Sequence, residues 1–397
     1  TQEGRVMTSS WPVVQYTERS WPPLGEPADP LWSNRRRKAN KGAYPQAVVP
    51  KIANIKVELA ADVTTMVQTV NDDLTRFDAQ YEGGAPFSAV LLRSESSASS
   101  EIEHLTANAR RIALARLGDG TRRNASLIAR NTMALEAALQ LANQLDVDAM
   151  LKMHHALLKD SDPDHAGRLR EEAVWIGGQS PVTAMFVPPE HSTVPDALED
   201  LVAFMQRTDI PAMAQAAIAH AQFETIHPFT DGNGRTGRAL VSAILRSRGT
   251  TQNFTVPLSS GLLTNTNDYF DALNQYRQGN IAPIIDQFVA ATQSSMGNVQ
   301  VLLNDIETVR DEIFATAQRR TKNLEIVARL CTTEPAFTAR MAQEHGVSLS
   351  TAYKILGRLV EQGILRSEGK IAGQSVWSVR VLTDALDAFA ERARRRH

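Results

Sequence analysis

The sequence predicts a mainly α-helical fold, on three observations. Apolar residues recur at helical spacing over residues 52–81, 125–145, 148–158, 214–226 and 233–248. Strand-like runs are few: 173–177 and 184–189 make one hairpin, and 364–367 and 375–379 make another. The 397 residues are 43% hydrophobic and 22% charged, the balance of a soluble globular chain with room for two or three packed units.

Taken in order, residues 1–45 read as an extended N-terminal arm without regular structure. Trp11-Pro12, Trp21-Pro22-Pro23 and Trp32 punctuate a polar stretch, and the tryptophans would staple it to the core. Arg35, Arg36, Arg37 and Lys38 read as a solvated patch. Residues 46–118 form an N-terminal helical region, with Ile55, Val57, Leu59, Val63, Met66, Val67 and Val70 on a helix over 52–81. A second helix opens at the serine-rich stretch 96–100 and carries Ile102, Leu105, Ala109 and Ile112 to a stop at Gly118. Ser100 and Glu103 have capping-box spacing there, which would put Glu103 at the third helical position.

Residues 119–290 are the next unit. Helices over 125–145 and 148–158 place Leu127, Met133, Leu135, Leu139, Met150, Leu151, Leu157 and Leu158 as core candidates. His154 and His155 are neighbours that point in different directions on a helix, which suits packing rather than a shared metal. The hairpin over 173–189 needs a partner, because two strands alone are marginal and leave an unpaired edge.

The chemistry concentrates in His227-Pro228-Phe229-Thr230-Asp231-Gly232-Asn233-Gly234-Arg235-Thr236-Gly237-Arg238, a tight loop between two helical runs. Its glycines let the amides of Gly232, Asn233 and Gly234 converge at the positive N-terminus of the second helix, an anion cradle. Arg235 and Arg238, at i and i+3, share a face suited to phosphate oxygens. Asp231 adds one hard carboxylate of the kind that magnesium uses alongside nucleotide phosphates. His227 titrates nearest neutrality and suits a general base for a hydroxyl attacking phosphorus.

These twelve residues resemble the signature loop of Fic-domain proteins, His-Pro-Phe-x-(Asp/Glu)-Gly-Asn-Gly-Arg-x-x-Arg, at every fixed position. The resemblance implies a Fic-fold helical core with a β-hairpin flap. It implies protein AMPylation, the transfer of AMP from Mg-ATP to a Ser, Thr or Tyr hydroxyl of a target protein. His227 would be the base and Asp231 the ligand of Mg2+. Phe229, Thr230, Gly232, Asn233, Gly234, Arg235 and Arg238 would bind the nucleotide. Ser99 to Glu103 resembles the family's inhibitory pattern (Ser/Thr)-x-x-x-Glu-(Gly/Asn), with His104 departing at the last position. Glu103 would then compete with ATP for Arg238.

The flap residues Trp175, Ile176 and Gly177 would dock the target by strand addition, and Tyr269 and Phe270 would lie near the adenine. After a connecting helix over 291–320, residues 321–380 resemble a winged helix-turn-helix domain. Ser350, Thr351, Tyr353, Lys354 and Arg358 would line its recognition helix, and residues 381–397 form a basic C-terminal helix. A DNA partner and a protein partner or homodimer both stay open for this unit. Net charge of −2 gives no global bias to nucleic acid. The single Cys331 permits no intramolecular disulfide. No apolar stretch is long enough to span a bilayer, and no signal peptide is recognised ahead of Met7. The expectation is a cytoplasmic transferase with no membrane partner. Removal of AMP from a modified protein, or a DNA-binding regulator with a nucleotide-sensing core, are the alternatives.

Overall fold

The computed structural model describes residues 11–21, 40–81 and 87–395. Trp32 and the basic run Arg35, Arg36, Arg37 and Lys38 lie outside them. The helical expectation holds across the described residues, but the N-terminal arm is not irregular. Strands β1 (Gln15–Trp21) and β2 (Gly42–Val48) pair antiparallel, from Gln15 opposite Val48 to Trp21 opposite Gly42. Tyr44, Gln46 and Ala47 of β2 turn inward, and the Ala47 amide donates to the Val187 carbonyl at 3.0 Å. Trp11 packs against Phe204 and Tyr276, and Trp21 against Trp175, so these two tryptophans do staple the segment down.

Helix α1 (Ala61–Ala79) starts later than the periodicity suggests. The Asp200 carboxylate captures the amides of Ile52 and Ala53, a long-range bond that holds this stretch out of a helix. Helix α2 (Ser88–Ile102) ends where a helix was expected to begin. A turn then leads to α3 (Ala109–Arg116), capped by Asn108, whose side chain accepts from the Arg111 amide at 3.0 Å. Helices α4 (Arg123–Gln140) and α5 (Val147–Leu158) follow as predicted, except that Met133 is exposed while Ile128, Ala129 and Thr132 face inward.

Next come α6 (Val194–Met205), α7 (Ala212–Ile226), α8 (Asn233–Ser247), α9 (Leu258–Leu262), α10 (Thr266–Arg277) and α11 (Ala282–Ala315). Every residue of α7 is buried. Its alanines at 212, 214, 216, 217, 219 and 221 let neighbouring helices approach from all sides, as a helix without a polar face requires. It is the axle of the molecule, and the motif loop leaves its C-terminal end. The long α11 passes from this core to the C-terminal unit, with Ile284 and Phe288 buried near one end and Val309 and Ile313 near the other.

That unit consists of α12 (Lys322–Thr333), β3 (Ala336–Thr338), α13 (Ala339–Glu344), α14 (Leu349–Glu361), β4 (Leu365–Ile371), β5 (Gln374–Val379) and α15 (Arg380–Arg394). Its antiparallel sheet has the order β3-β5-β4. Phe337 is in β3 opposite Trp377. The turn between β4 and β5 is at Ala372 and Gly373. One hydrophobic cluster runs from Trp11 through α7 to Phe389, so the C-terminal unit shares the main core. Among the described residues no helix is long and apolar enough to cross a membrane.

Candidate active site

The motif loop is fixed by its own side chains. α7 stops at His227, whose backbone is left-handed (φ 50°), and α8 starts from Gly232 (φ 78°). Asn233 closes the loop upon itself: its Oδ1 accepts from the Phe229 amide at 2.9 Å and its Nδ2 donates to the Phe229 carbonyl at 2.8 Å. His154 of α5, read from the sequence as a packing residue, stacks on the Phe229 ring at 3.7 Å. The Gly167 amide donates to its Nδ1 at 3.0 Å, so Nε2 carries the proton and donates to the Asp231 carbonyl at 3.0 Å. Burial pushes His154 down to about 4, which keeps it in this neutral form.

Arg170, which the sequence reading passed over, ties the other side. Its Nε donates to the His227 carbonyl at 2.8 Å and its Nη2 to the Pro189 carbonyl at 2.6 Å, while the Pro228 carbonyl accepts from its amide at 3.0 Å. Burial pushes this guanidinium down to about 10, still charged at neutral pH. Burial also drives His227 down to about 3, with Arg170 and Arg277 adding to the effect. The candidate base is therefore a neutral imidazole, ready to accept a proton.

On α8 the first amides have no intrahelical partners and face outward beside two guanidinium groups. Arg235 is buried and reaches the exposed Asp231 carboxylate at 3.4 Å. Arg238 is enclosed, and the N-terminal region supplies its partners. Its Nε donates to Ser99 Oγ at 2.9 Å, and its Nη2 to the Ser99 carbonyl and to Glu103 Oε1, both at 2.8 Å. Burial opposes both charges, yet the pairing wins: Glu103 is held below the usual carboxylate range and Arg238 above its usual value.

The Glu103 carboxylate lies over Gly234, where a Cβ would collide with Oε1. It thus occupies the mouth of the anion cradle. The capping-box reading of Glu103 fails for a simple reason: the residue follows the last turn of α2 instead of opening a helix. His104 and Leu105 donate back to the carbonyls of Glu101 and Ser100 at 2.8 and 3.0 Å, a Schellman stop with His104 in the left-handed region (φ 61°). Gly or Asn, which the inhibitory pattern prefers here, reaches that conformation most easily.

The flap is looser than a two-stranded hairpin. Only Ile176 and Phe186 form a bridge, because Gly177 and Gly178 are left-handed and a short 3-10 turn, Pro181–Thr183, follows. Trp175 and Ile176 are half-buried, and Gly177 is exposed. The partner this hairpin needs is β2, beside Val187, and Ser180 Oγ donates to Asn40 at 2.8 Å. Tyr269 is enclosed, with its hydroxyl 2.7 Å from His220 Nε2, whereas Phe270 is exposed and offers an open ring face. Thr230 is half-buried at the loop's edge.

Asp231 alone among the loop residues offers a carboxylate to a cation, and among the described residues no cluster of three or more metal-ligating side chains occurs. That fits Mg2+, which takes one or two carboxylates and completes its shell with phosphates and water. On α14, expected from the sequence as a recognition helix, Ser350, Tyr353 and Lys354 are exposed and Thr351 and Arg358 half-buried. Tyr353 leans on Trp377 at 5.6 Å.

Residues 144–245 match the Fic/DOC family model. The protein adenylyltransferase fic-1 of Caenorhabditis elegans is 30% identical over 191 residues, 46% of this chain and 35% of that protein. The protein adenylyltransferase Fic of Nematostella vectensis is 31% identical over 152 residues, 38% of this chain and 33% of that protein. The chain therefore spans about a third of the length of these curated relatives. A crystal structure of a Fic family protein from Desulfovibrio desulfuricans G20 has the same fold, with a TM-score of 0.51 at 19% identity over 81% of this chain and 97% of that one.

Proposed function

We propose that this chain, which carries a Fic/DOC domain, is a protein adenylyltransferase observed in a self-inhibited state. One observation carries the reading: a neutral, half-buried base and an anion cradle with two guanidinium groups share one loop that His154, Asn233 and Arg170 tie down. That combination suits attack of a hydroxyl on a nucleotide phosphorus, because positioning and charge stabilisation supply most of the catalysis in such transfers.

The target's Ser, Thr or Tyr hydroxyl approaches beside the flap. Its oxygen bonds to the α-phosphorus of ATP while its proton passes to His227, and the bond to the bridging oxygen breaks so that pyrophosphate leaves. The α8 amides and Arg235 hold the phosphates, and Arg238 serves the terminal one. Asp231 would hold Mg2+, which would offset the charge of those phosphates when bound. Glu103, seated over Gly234 and on Arg238, takes the terminal phosphate's place. A carboxylate and a triphosphate compete for one guanidinium, so withdrawal of Glu103 shifts the population towards productive binding. A cytoplasmic location and a DNA or second protein partner for α14 belong to the same proposal.

The part-exposed Glu103 carboxylate beside the cradle also suits positioning of water for AMP removal. One experiment separates the two. Purified Glu103→Gly is incubated with magnesium and ATP labelled at the α or the γ phosphate. Label in protein from the α position only, abolished by adding His227→Ala, is expected. Labelling from γ, or no labelling together with release of AMP from a modified protein by the wild type, would overturn the transferase reading.

A further inference from the structure

We infer that Glu224 is a positioning residue for the base: its carboxylate accepts a hydrogen bond from the Nδ1–H of His227, leaving Nε2 free for the acceptor hydroxyl and meeting the positive charge that forms on the ring. The inference rests on the transferase reading above.

Glu224 lies in the last turn of α7, three residues before His227 at its C-cap. It is buried, and it takes no part in holding the cradle or Glu103. Its Oε2 is 4.0 Å from His227 Nδ1. Glu224 Oε1 and His227 Nδ1 are both buried polar atoms without a hydrogen-bond partner. A shift of about 1 Å would bring Oε2 within hydrogen-bond reach of Nδ1, and a buried polar group left without a partner is costly. The backbone carbonyl of Glu224 also faces the ring, so both of the ring's neighbours on this side are acceptors.

The space for the carboxyl is built in. At Gly237 of α8 a Cβ would lie 2.9 Å from Glu224 Oε1 and 3.2 Å from His220 Nδ1, so only glycine lets α8 press this close. A cation stands by as well. Arg277 is enclosed with its guanidinium 3.8 Å over the Phe186 ring, its Nε has no partner, and its charge favours an ionised Glu224.

The groups facing this carboxyl are His220 on α7, His227 at its C-cap, Arg238 on α8, Tyr269 and Arg277 on α10, and Glu103 beyond Arg238. Burial pushes Glu224 up to about 7, Glu103 adds to the rise, and Arg238 and Arg277 oppose it. Its ionisation therefore falls in the working pH range. During transfer the hydroxyl proton moves to Nε2 as the oxygen bonds to phosphorus. Nδ1 keeps its own proton, and the imidazolium is balanced by the Glu224 carboxylate until Nε2 releases its proton to solvent.

The test uses the full chain in the Glu103→Gly background. Glu224→Gln is expected to lower kcat roughly 10- to 100-fold with the KM for ATP nearly unchanged. It should also abolish the rise of rate with pH through about 7, whereas Glu224→Asp keeps that rise. Full kcat with an unchanged pH profile in Glu224→Gln would overturn the inference. Proton NMR of the 15N-histidine-labelled chain reads the pair without turnover. A downfield Nδ1 proton of His227 in the parent that moves upfield in Glu224→Gln is expected, and an unmoved resonance counts against it. If the Glu103→Gly parent transfers no label while that resonance behaves as expected, the transferase reading fails and the pairing stands.

Discussion

His104 sits in the left-handed region at φ 61°, a conformation that costs a side chain of this kind on the order of 1 kcal/mol and glycine almost nothing. The departure from Gly or Asn at this position is thus a small strain placed directly after the Glu103 carboxylate, and the geometry of the stop survives it. His104→Gly should tighten the turn, with the Leu105 amide exchanging its hydrogen about 2- to 5-fold more slowly as the closed state gains roughly 0.5–1 kcal/mol. Faster exchange would mean that the imidazole, not the backbone, sustains the turn. At this scale the loop was legible in advance, because His227, Asp231, Gly232, Gly234, Arg235 and Arg238 are fixed by type and spacing. Arg170, His154 and Glu224 were not, since each acts through a contact that only the fold creates.

At the scale of elements, α2 shows why a local signal misled. The stretch from Ser96 to Ser100 looks like a helix start, since serines favour caps over helix interiors. Here they lie inside a helix because they bond elsewhere. Ser94 and Ser100 hydroxyls donate to the Val90 and Ser96 carbonyls at 3.1 and 2.9 Å. Ser96 Oγ meets Thr132 Oγ1 at 2.9 Å, and Asn131 Nδ2 donates to the Ser96 carbonyl and Ser100 Oγ at 2.8 and 3.0 Å. The serines are a polar seam against α4, and no cap. Glu95 continues the seam by accepting from the Ser259 amide at 2.8 Å. The pairing of β1 with β2 was equally hidden, because its two strands are separated by twenty residues and their partner is the flap.

Across the whole molecule, the C-terminal unit holds the segment that carries Glu103 on both sides of that residue. On α2, Arg93 Nη2 donates to Glu334 at 2.6 Å, and Glu101 accepts from Arg394 Nη2 at 2.9 Å. On the far side of the turn, Asp387 accepts from the Ala109 amide and Glu368 from Arg110 Nε, both at 2.7 Å. The wing itself is engaged, since Ile371 and Val376 pack with Ala113, Leu114 and Leu117 of the α3 region. The helices and the hairpin of this unit were readable from the sequence, and the short strand β3 was not. Its docking was not, because complementary charges far apart in the chain carry no local pattern. The half-exposed Arg394–Glu101 pair is worth about 1 kcal/mol or less. Arg394→Glu should raise transfer by the otherwise wild-type chain roughly 2- to 5-fold, and adding Glu101→Arg should restore it. An unchanged rate in the single variant would separate the C-terminal unit from inhibition.

The most direct measurement is the initial rate of AMP incorporation from α-labelled ATP by wild type and Glu103→Gly, side by side at one magnesium concentration. The carboxylate over Gly234 and on Arg238 predicts a rate at least about tenfold higher in Glu103→Gly, the effect of about 1.4 kcal/mol or more of lost competition. Equal rates would contradict it, and Glu103 would then be no more than the end of a helix.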